Sequence, residues 1–292
     1  MRRKYFFVRK LSLLDLGKRE GGLTPVPLLA RFIKGLREDE VLDAIGKGAF
    51  WHLAAGEKGN TLKREKNPNV ILGAGDRIEF YFDSAVLCGK APDPEEKHHS
   101  KHYGIWYKPP GLLTQGTKFG DHLSLLSFAE KKHGSAFPVH RLDRETAGLV
   151  LVAYDSASAA AFSEMLQCHA IRKTYMADVM GNPVPTLGSE GVINTPLDDK
   201  PAETRFNVLD ALPGQTRLRL EIVTGREHQI RRHLDGVGHP VIGDPLYGKG
   251  NKNRIGLRLI ADSIAFQDPW TKTEVSVVLD GGGFLDNPMK PL

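Results

Sequence analysis

The stretch QTRLRLEIVTG, residues 215 to 225, alternates without a break: Leu218, Leu220 and Ile222 fall on one side, Arg217, Arg219 and Glu221 on the other. A spacing of two separates apolar from charged residues only in an extended strand with one buried and one wet face. Strand-like segments recur through the rest of the chain, in HYGIWYKP, GLVLVAYD, KTYMADVMG, TRFNVLDAL, IGLRLIADSIAF and TEVSVVLD. Several follow one another directly, and parallel neighbours would need long crossovers that such connections do not supply. The expected class is therefore α+β: a large mixed, mainly antiparallel sheet with flanking helices, not a doubly wound parallel one. One helix is expected in SASAAAFSEMLQCHA, capped by Ser156.

With 292 residues, 40% hydrophobic and 26% charged, the chain can bury one large core and a small one. LCGKAPDPEEKHHSKHYG has two prolines, a short acidic run and no apolar periodicity, which predicts a linker over 87–102. It divides a small α+β domain, 1–86, from the main body, 103–292. In the small domain TPVPLLARFIKGL and EDEVLDAIGKGAFWHL have helical apolar spacing, and ILGAGDRIEFYFD gives a turn and then alternating Ile78, Phe80 and Phe82. His98, His99 and His102 have no cysteine or acidic partner at a standard metal-ligand spacing and read as polar loop residues, so no metal is expected. Cys88 and Cys168 are too far apart for a ligand pair and read as ordinary thiols. No apolar run has the length of a membrane span, and MRRKYFFVRKLSLLDLG has too short an apolar segment for a secretion signal. The expected location is cytoplasmic.

The net charge of +5 is unevenly spread. From Arg226 to Arg258 seven basic residues, Lys252 and Arg254 among them, face three acidic ones, and the tail beyond is net acidic. Such clustering suits a polyanion, nucleic acid above all, or is a solvated charged face. Within it, Gly225 ends a strand and Arg226 to Leu234 can form a helix with His228, Arg231 and Arg232 within one turn. The glycines and prolines of GHPVIGDPLYG are costly unless the backbone must approach something closely. Arginines beside a helix N-terminus suit phosphate; a basic helix face in water is the other reading.

In PVHRLDRETAGLV, Asp143 stands between Arg141 and Arg144, in a short loop that ends at Thr146, Ala147 and Gly148 before the strand LVLVA. Strand-anchored loops hold side chains rigidly. Cationic neighbours favour the charged form of a carboxylate, which suits a nucleophile or base better than a general acid. A local surface ion pair would use the same three residues.

Taken together these stretches resemble the RluA-type RNA pseudouridine synthases. HRLDRETAGLVLVA at 140–153 is similar to that family's signature, whose aspartate is catalytic and falls here on Asp143. In chain order, YKPPGLLTQG at 107–116, RKTYMADVMG at 172–181, KPAETRFNVL at 200–209 and TGREHQIRRHLDGVGHPVIGDPLYG at 224–248 are similar to its further blocks. The resemblance places the active-site tyrosine at Tyr175 and the arginine paired with the aspartate at Arg231. It makes Arg141, Arg144, Lys108, Arg226, His228 and Arg232 RNA-binding candidates, with Arg141 the wedge that fills the gap left by a flipped base. The late L-H-A segment departs from the pattern, reading LRLIADS at 257–263 without the histidine. More weakly, the N-terminal region resembles the small RNA-binding domain of ribosomal protein S-four type. That domain presents a basic second helix, whereas LREDEVLDAIGKG is acidic at its start.

The resemblance implies an isomerase that converts uridine to pseudouridine in structured RNA, most of all ribosomal RNA of the large subunit, with transfer RNA the alternative. The N1 glycosidic bond breaks, the uracil turns, and C5 bonds to the ribose; no redox change or group transfer occurs. No cofactor is implied, no nucleotide fingerprint appears in the sequence, and a monomer is the default. Asp143 would act at the sugar or the uracil ring, and Tyr175 would stack on the uracil and accept or relay the C5 proton. Two rivals stay open: a non-catalytic RNA-binding or ribosome-assembly protein, and a hydrolase with Asp143 as nucleophile. The second would want a metal cluster or another catalytic carboxylate.

Overall fold

The computed structural model describes residues 2–16, 23–251, 253 and 255–279. Lys252, Arg254 and the last residue of TEVSVVLD lie outside them. The chain divides into two compact units, Met1–Ala91 with Gln115–Phe128, and Pro92–Thr114 with Ala129–Leu292.

The first unit contains β1 (Lys4–Lys10), α1 (Leu13–Leu16), α2 (Pro25–Phe32), α3 (Glu38–Gly46), β2 (Phe50–Leu53), β3 (Lys63–Arg64), β4 (Arg77–Asp83) and α4 (Ser84–Leu87). Its strands form an antiparallel sheet in the order β1-β4-β2-β3. Pro25 is preset for a first helical turn, and the acidic residues Glu38, Asp39 and Glu40 sit at the positive end of α3. Leu28 and Leu29 of α2, Val41 and Ile45 of α3, and Phe50, Ile78 and Phe80 of the sheet form one buried cluster, so both helices cover one sheet face. In KYFFVRK the alternation sends Tyr5 and Phe7 to that core and leaves Phe6 and Val8 exposed.

The second unit continues with β5 (Glu95–His99), β6 (Tyr103–Lys108), α5 (Leu125–His133, which crosses the division), β7 (Phe137–Pro138), β8 (Ala147–Ala153), α6 (Ser156–Gln167) and β9 (Ile171–Met180). Then come α7 (Val184–Leu187), β10 (Glu190–Ile193), β11 (Thr204–Leu212), β12 (Gln215–Ile222), α8 (Gln229–Gly236), β13 (Leu259–Gln267) and β14 (Glu274–Val278). One ten-stranded sheet runs β10-β11-β12-β9-β13-β8-β6-β5, with β14 on β13 and β7 on β8. Only β8 and β13 pair in parallel among these strands. The expected mixed, mainly antiparallel sheet is what the chain forms. Every residue of β8 is buried, as a continuous apolar run in a central strand requires. Gly148 has φ +123° and lies against Ala261 of β13, whose backbone a Cβ would strike.

Several local expectations shift. The linker over 87–102 carries the edge strand β5; its polar residues alternate only between exposed and half-buried, so no apolar period marks it. Residues 115–128 belong with the first unit, where Arg64 donates to the Thr117 carbonyl at 2.7 Å and the Trp51 ring N–H to that of Lys118 at 3.2 Å. Such distant backbone bonds leave no sequence pattern. The N-cap of α6 is Asp155, whose carboxylate accepts from the Ser158 amide at 2.7 Å, not Ser156. Helix α8 starts at Gln229, three residues later than expected, because Arg226 to His228 form a turn tied down by Gln229.

Candidate active site

The loop from His140 to Thr146 is fixed at several points. The Thr114 hydroxyl donates to the Leu142 carbonyl at 2.8 Å and accepts from its amide at 3.0 Å. The His140 ring Nε2 accepts from the Leu151 amide of β8 at 3.1 Å. Burial, with Lys173 adding to it, pushes His140 down to about 3, so the ring stays neutral and able to accept. Lys108, expected from the sequence to meet RNA, is instead fully buried. Its ammonium donates to the carbonyls of Pro109, Leu112 and Arg144 at 3.2, 2.8 and 3.3 Å, so it staples PPGLL to the Asp143 loop. Burial pulls it down to about 8 despite the opposing charges of Asp143 and Glu145. The periodicity of YGIWYK marks a strand but cannot say that its last residue turns inward.

The facing wall is the turn Thr224–His228 and helix α8. Gln229 locks it: its carbonyl oxygen accepts from the Thr224 hydroxyl at 2.7 Å and the Arg226 amide at 3.0 Å, while its amide donates to the Glu203 carbonyl at 2.9 Å. His228 takes φ +51°, a conformation non-glycine residues adopt at a cost and keep where the surroundings fix them. From α8, Arg231 Nη1 donates to Asp143 Oδ2 at 3.0 Å. Its Nε and Nη2 donate to the two oxygens of Asp244 at 2.7 and 2.8 Å. The Arg231 and Asp244 side chains are 1% and 0% exposed, Asp143 19%. Asp244 also accepts from the amides of Leu246 and Tyr247, at 2.9 and 3.0 Å. Burial alone would raise the Asp244 carboxyl, but the Arg231 guanidinium and these amides hold it below the usual carboxylate value. Likewise Arg231 lies above its ordinary value although burial opposes it, because Asp244 and Asp143 both accept from it. The guanidinium is thus clamped on one edge and offers the other to Asp143, the geometry at which arginine excels.

His228 approaches the other Asp143 oxygen at 3.7 Å and shares a hydrogen bond of 3.1 Å with the Tyr247 hydroxyl. Tyr175 and Lys173, two apart on β9, both line the same cavity of about 510 Å³, with Asp143, Arg141, Arg226 and His228 on its other walls. That is ample for one nucleoside. Burial, then the Asp143 charge, pushes the Tyr175 hydroxyl above its ordinary range, so it is a neutral phenol. Burial lowers Lys173 as well. The hydroxyl of Thr146, beside Asp143 in the cavity wall, is buried with no hydrogen-bond partner among the described residues.

Of the residues singled out from sequence, Asp143, Tyr175, Arg231, Arg141, Arg226 and His228 therefore meet at one cavity. Arg144 is exposed and donates to the Gly111 carbonyl at 3.1 Å, and Arg232 is held by Asp198 through two bonds of 2.8 and 2.9 Å; neither lines it. Asp244, Gln229, Thr146 and Lys173 were not singled out. Asp244 and Gln229 sit in the recognisable blocks, but no spacing rule says that they brace neighbours from within.

A family model described as RNA pseudouridylate synthase matches residues 102–235. The chain is 31% identical over 198 residues to the dual-specificity RNA pseudouridine synthase RluA of Pasteurella multocida, covering 61% of this chain and 89% of that protein. Among solved structures it is similar to human RNA pseudouridylate synthase domain containing 1, with TM-score 0.55, 22% identity and coverage of 66% of this chain and 85% of that one. Human RNA pseudouridylate synthase domain containing 4 gives TM-score 0.52 at 24% identity, over 64% and 88%. At these identities the two structures speak for the fold.

Proposed function

The chain belongs to the RluA-type RNA pseudouridine synthases, which are isomerases, and from that premise we propose that it acts on a uridine of large-subunit ribosomal RNA with Asp143 as the reacting carboxylate. The observation that carries the site assignment is the 3.0 Å contact between Arg231 and Asp143 at the cavity that Tyr175 also lines. The target uridine leaves its stack to enter the cavity, and Arg141, exposed at the rim, fills the gap. Asp143 supplies the anion that acts on C1′ or on the uracil ring while the N1–C1′ bond breaks. Arg231 keeps that carboxylate oriented. After the uracil turns, C5 bonds to C1′ and loses its proton, and N1 gains one, so the balance is that of an isomerisation. Tyr175 stacks on the ring; as a neutral phenol it takes up the C5 proton only while passing on its own, which makes it a relay. Ribosomal RNA is favoured over transfer RNA because most of the first compact unit, Met1–Ala91, lies outside the family-matched residues 102–235 and suits a large substrate. A cytoplasmic location belongs to the same proposal.

The test is Asp143→Asn, assayed by tritium release from uridine-labelled RNA. It should fold and bind RNA but form no pseudouridine; retained turnover sinks the assignment. A transcriptome-wide pseudouridine map with and without the gene decides the target, and loss confined to transfer RNA would overturn the ribosomal reading.

A further inference from the structure

The outer face of the sheet in the first unit has no part in the cavity; its β4 residues Tyr81 and Asp83 are buried, 6% and 1% exposed, while the side chains of β1 on it are open. On β1, Lys4, Phe6, Val8 and Lys10 are exposed, Phe6 by 64%. In register beside them on β4 stand Asp83, Tyr81, Glu79 and Arg77, and Trp51 of β2 and Arg64 of β3 extend the row. The Phe6 ring lies 4.7 Å from that of Tyr81, which meets Phe119 edge-on at 5.6 Å. Cations lie over these rings: Lys4 at 4.7 Å from the Phe119 centroid, Lys118 at 5.0 Å from Tyr81, Arg64 at 4.5 Å from Trp51. The carboxylates here are paired, Asp83 with Arg2, Glu79 with Lys118 at 3.6 Å and Asp121 with Arg64 at 3.5 Å, and Lys4, Lys10 and Arg77 give the surface a positive balance. By contrast α3 opens with three acidic residues, a poor approach for phosphate.

Aromatic rings interleaved with cations match an unpaired nucleic-acid strand, whose bases stack on the rings while its phosphates meet the charges. A buried apolar partner would not call for Lys4, Lys10 and Arg77 around Phe6. We propose that this sheet face binds a single-stranded segment of the substrate RNA, with a base stacked on Phe6 and phosphates held by Lys4 and Lys10. This rests on RNA being the substrate, and moves the RNA-binding role expected of the N-terminal region from its second helix to its sheet.

The test uses the full chain and a fluorescein-labelled, unstructured RNA of about twelve nucleotides, within the ~4–16 that one such platform covers. Anisotropy titrations should show Phe6→Ala weakening the Kd by about 5- to 100-fold, with Phe6→Tyr restoring it. Lys4→Ala with Lys10→Ala should flatten the plot of log K against log salt by about 0.7 for each phosphate no longer neutralised. Photo-crosslinks should map to Phe6 or Phe119. An unchanged Kd in Phe6→Ala, with crosslinks confined to residues 129–292, would overturn the proposal. So would a dimer that dissociates on Phe6→Ala while RNA affinity stays, since the face would then serve a second copy of the chain. Phe6-dependent binding by a protein that forms no pseudouridine would sink the catalytic reading alone; turnover with Phe6-independent binding would sink this one alone.

Discussion

Asp244→Asn isolates the clamp on Arg231. The exchange keeps side-chain size and leaves an oxygen for the amides of Leu246 and Tyr247, but removes the charge that receives two guanidinium bonds at 2.7 and 2.8 Å. One of the two acceptor oxygens is replaced by an N–H donor, which repels the arginine. Breaking one partner of a buried pair costs about 3–5 kcal/mol, and at about 2–4 °C per kcal/mol for a domain of this size Tm should fall by roughly 10 °C. Arg231 is then free to swing toward its remaining partner, Asp143. A displacement of about 1 Å at a reacting group costs about a hundredfold in rate, so kcat should fall by that order while KM for the RNA changes little. Thermal unfolding and single-turnover pseudouridine formation measure the two effects separately. Acid should erase the difference in stability. Asp244 lies below its ordinary carboxyl value of 3.8, so its contribution is complete above that pH and is lost only as pH falls beneath it. The stability gap between parent and variant should therefore close at low pH. A variant with the parental Tm, or a lowered Tm with parental kcat, would refute the clamp.

Three further outcomes follow from the same geometry. Tyr175→Phe should lower kcat by about 10²–10⁴ with little change in RNA affinity, since the relay needs the hydroxyl and stacking does not; equal losses in both would count against it. Lys108 sits at about 8 in the folded chain against an ordinary 10.5, so from pH 8 to 10.5 the unfolded chain holds the extra proton and stability rises with pH. Relative to Lys108→Met, the parent should gain up to about 3 kcal/mol over that interval in urea unfolding, and a constant difference would show that the ammonium is not buried as described. Gly148→Ala should destabilise by more than about 3 kcal/mol, since φ +123° and the Ala261 backbone both exclude a Cβ; soluble protein with unchanged Tm would disprove that packing.

Much of this was legible in the sequence, because alternation is a local signal. Leu218 and Leu220 announce a strand with one buried face, and both are buried in β12. The Arg-Leu-Asp-Arg stretch and the Arg-Glu-His-Gln turn stand out once the family resemblance is read along the chain, whereas each alone also fits a solvated charged surface. What alternation cannot encode is which side chain reaches which. Locally, Asp143 belongs to Arg141 and Arg144. Only the packing of α8 against the loop before β8 gives it to Arg231, 88 residues on, and only the return of the chain at Asp244 fixes that arginine. Lys108 shows the same limit: its charge reads as a phosphate contact until three carbonyls close around it. The edge strand β5 escaped because its stability comes from backbone bonds to β6, which any polar residue can make. The sequence by itself determined the class of fold and the family and singled out Asp143 as the candidate carboxylate, since these rest on local pattern and residue chemistry. Tertiary structure alone decided the carboxylate's partner, the brace behind that partner and the open aromatic face of the first sheet, since burial and long-range hydrogen bonds exist only once distant segments meet.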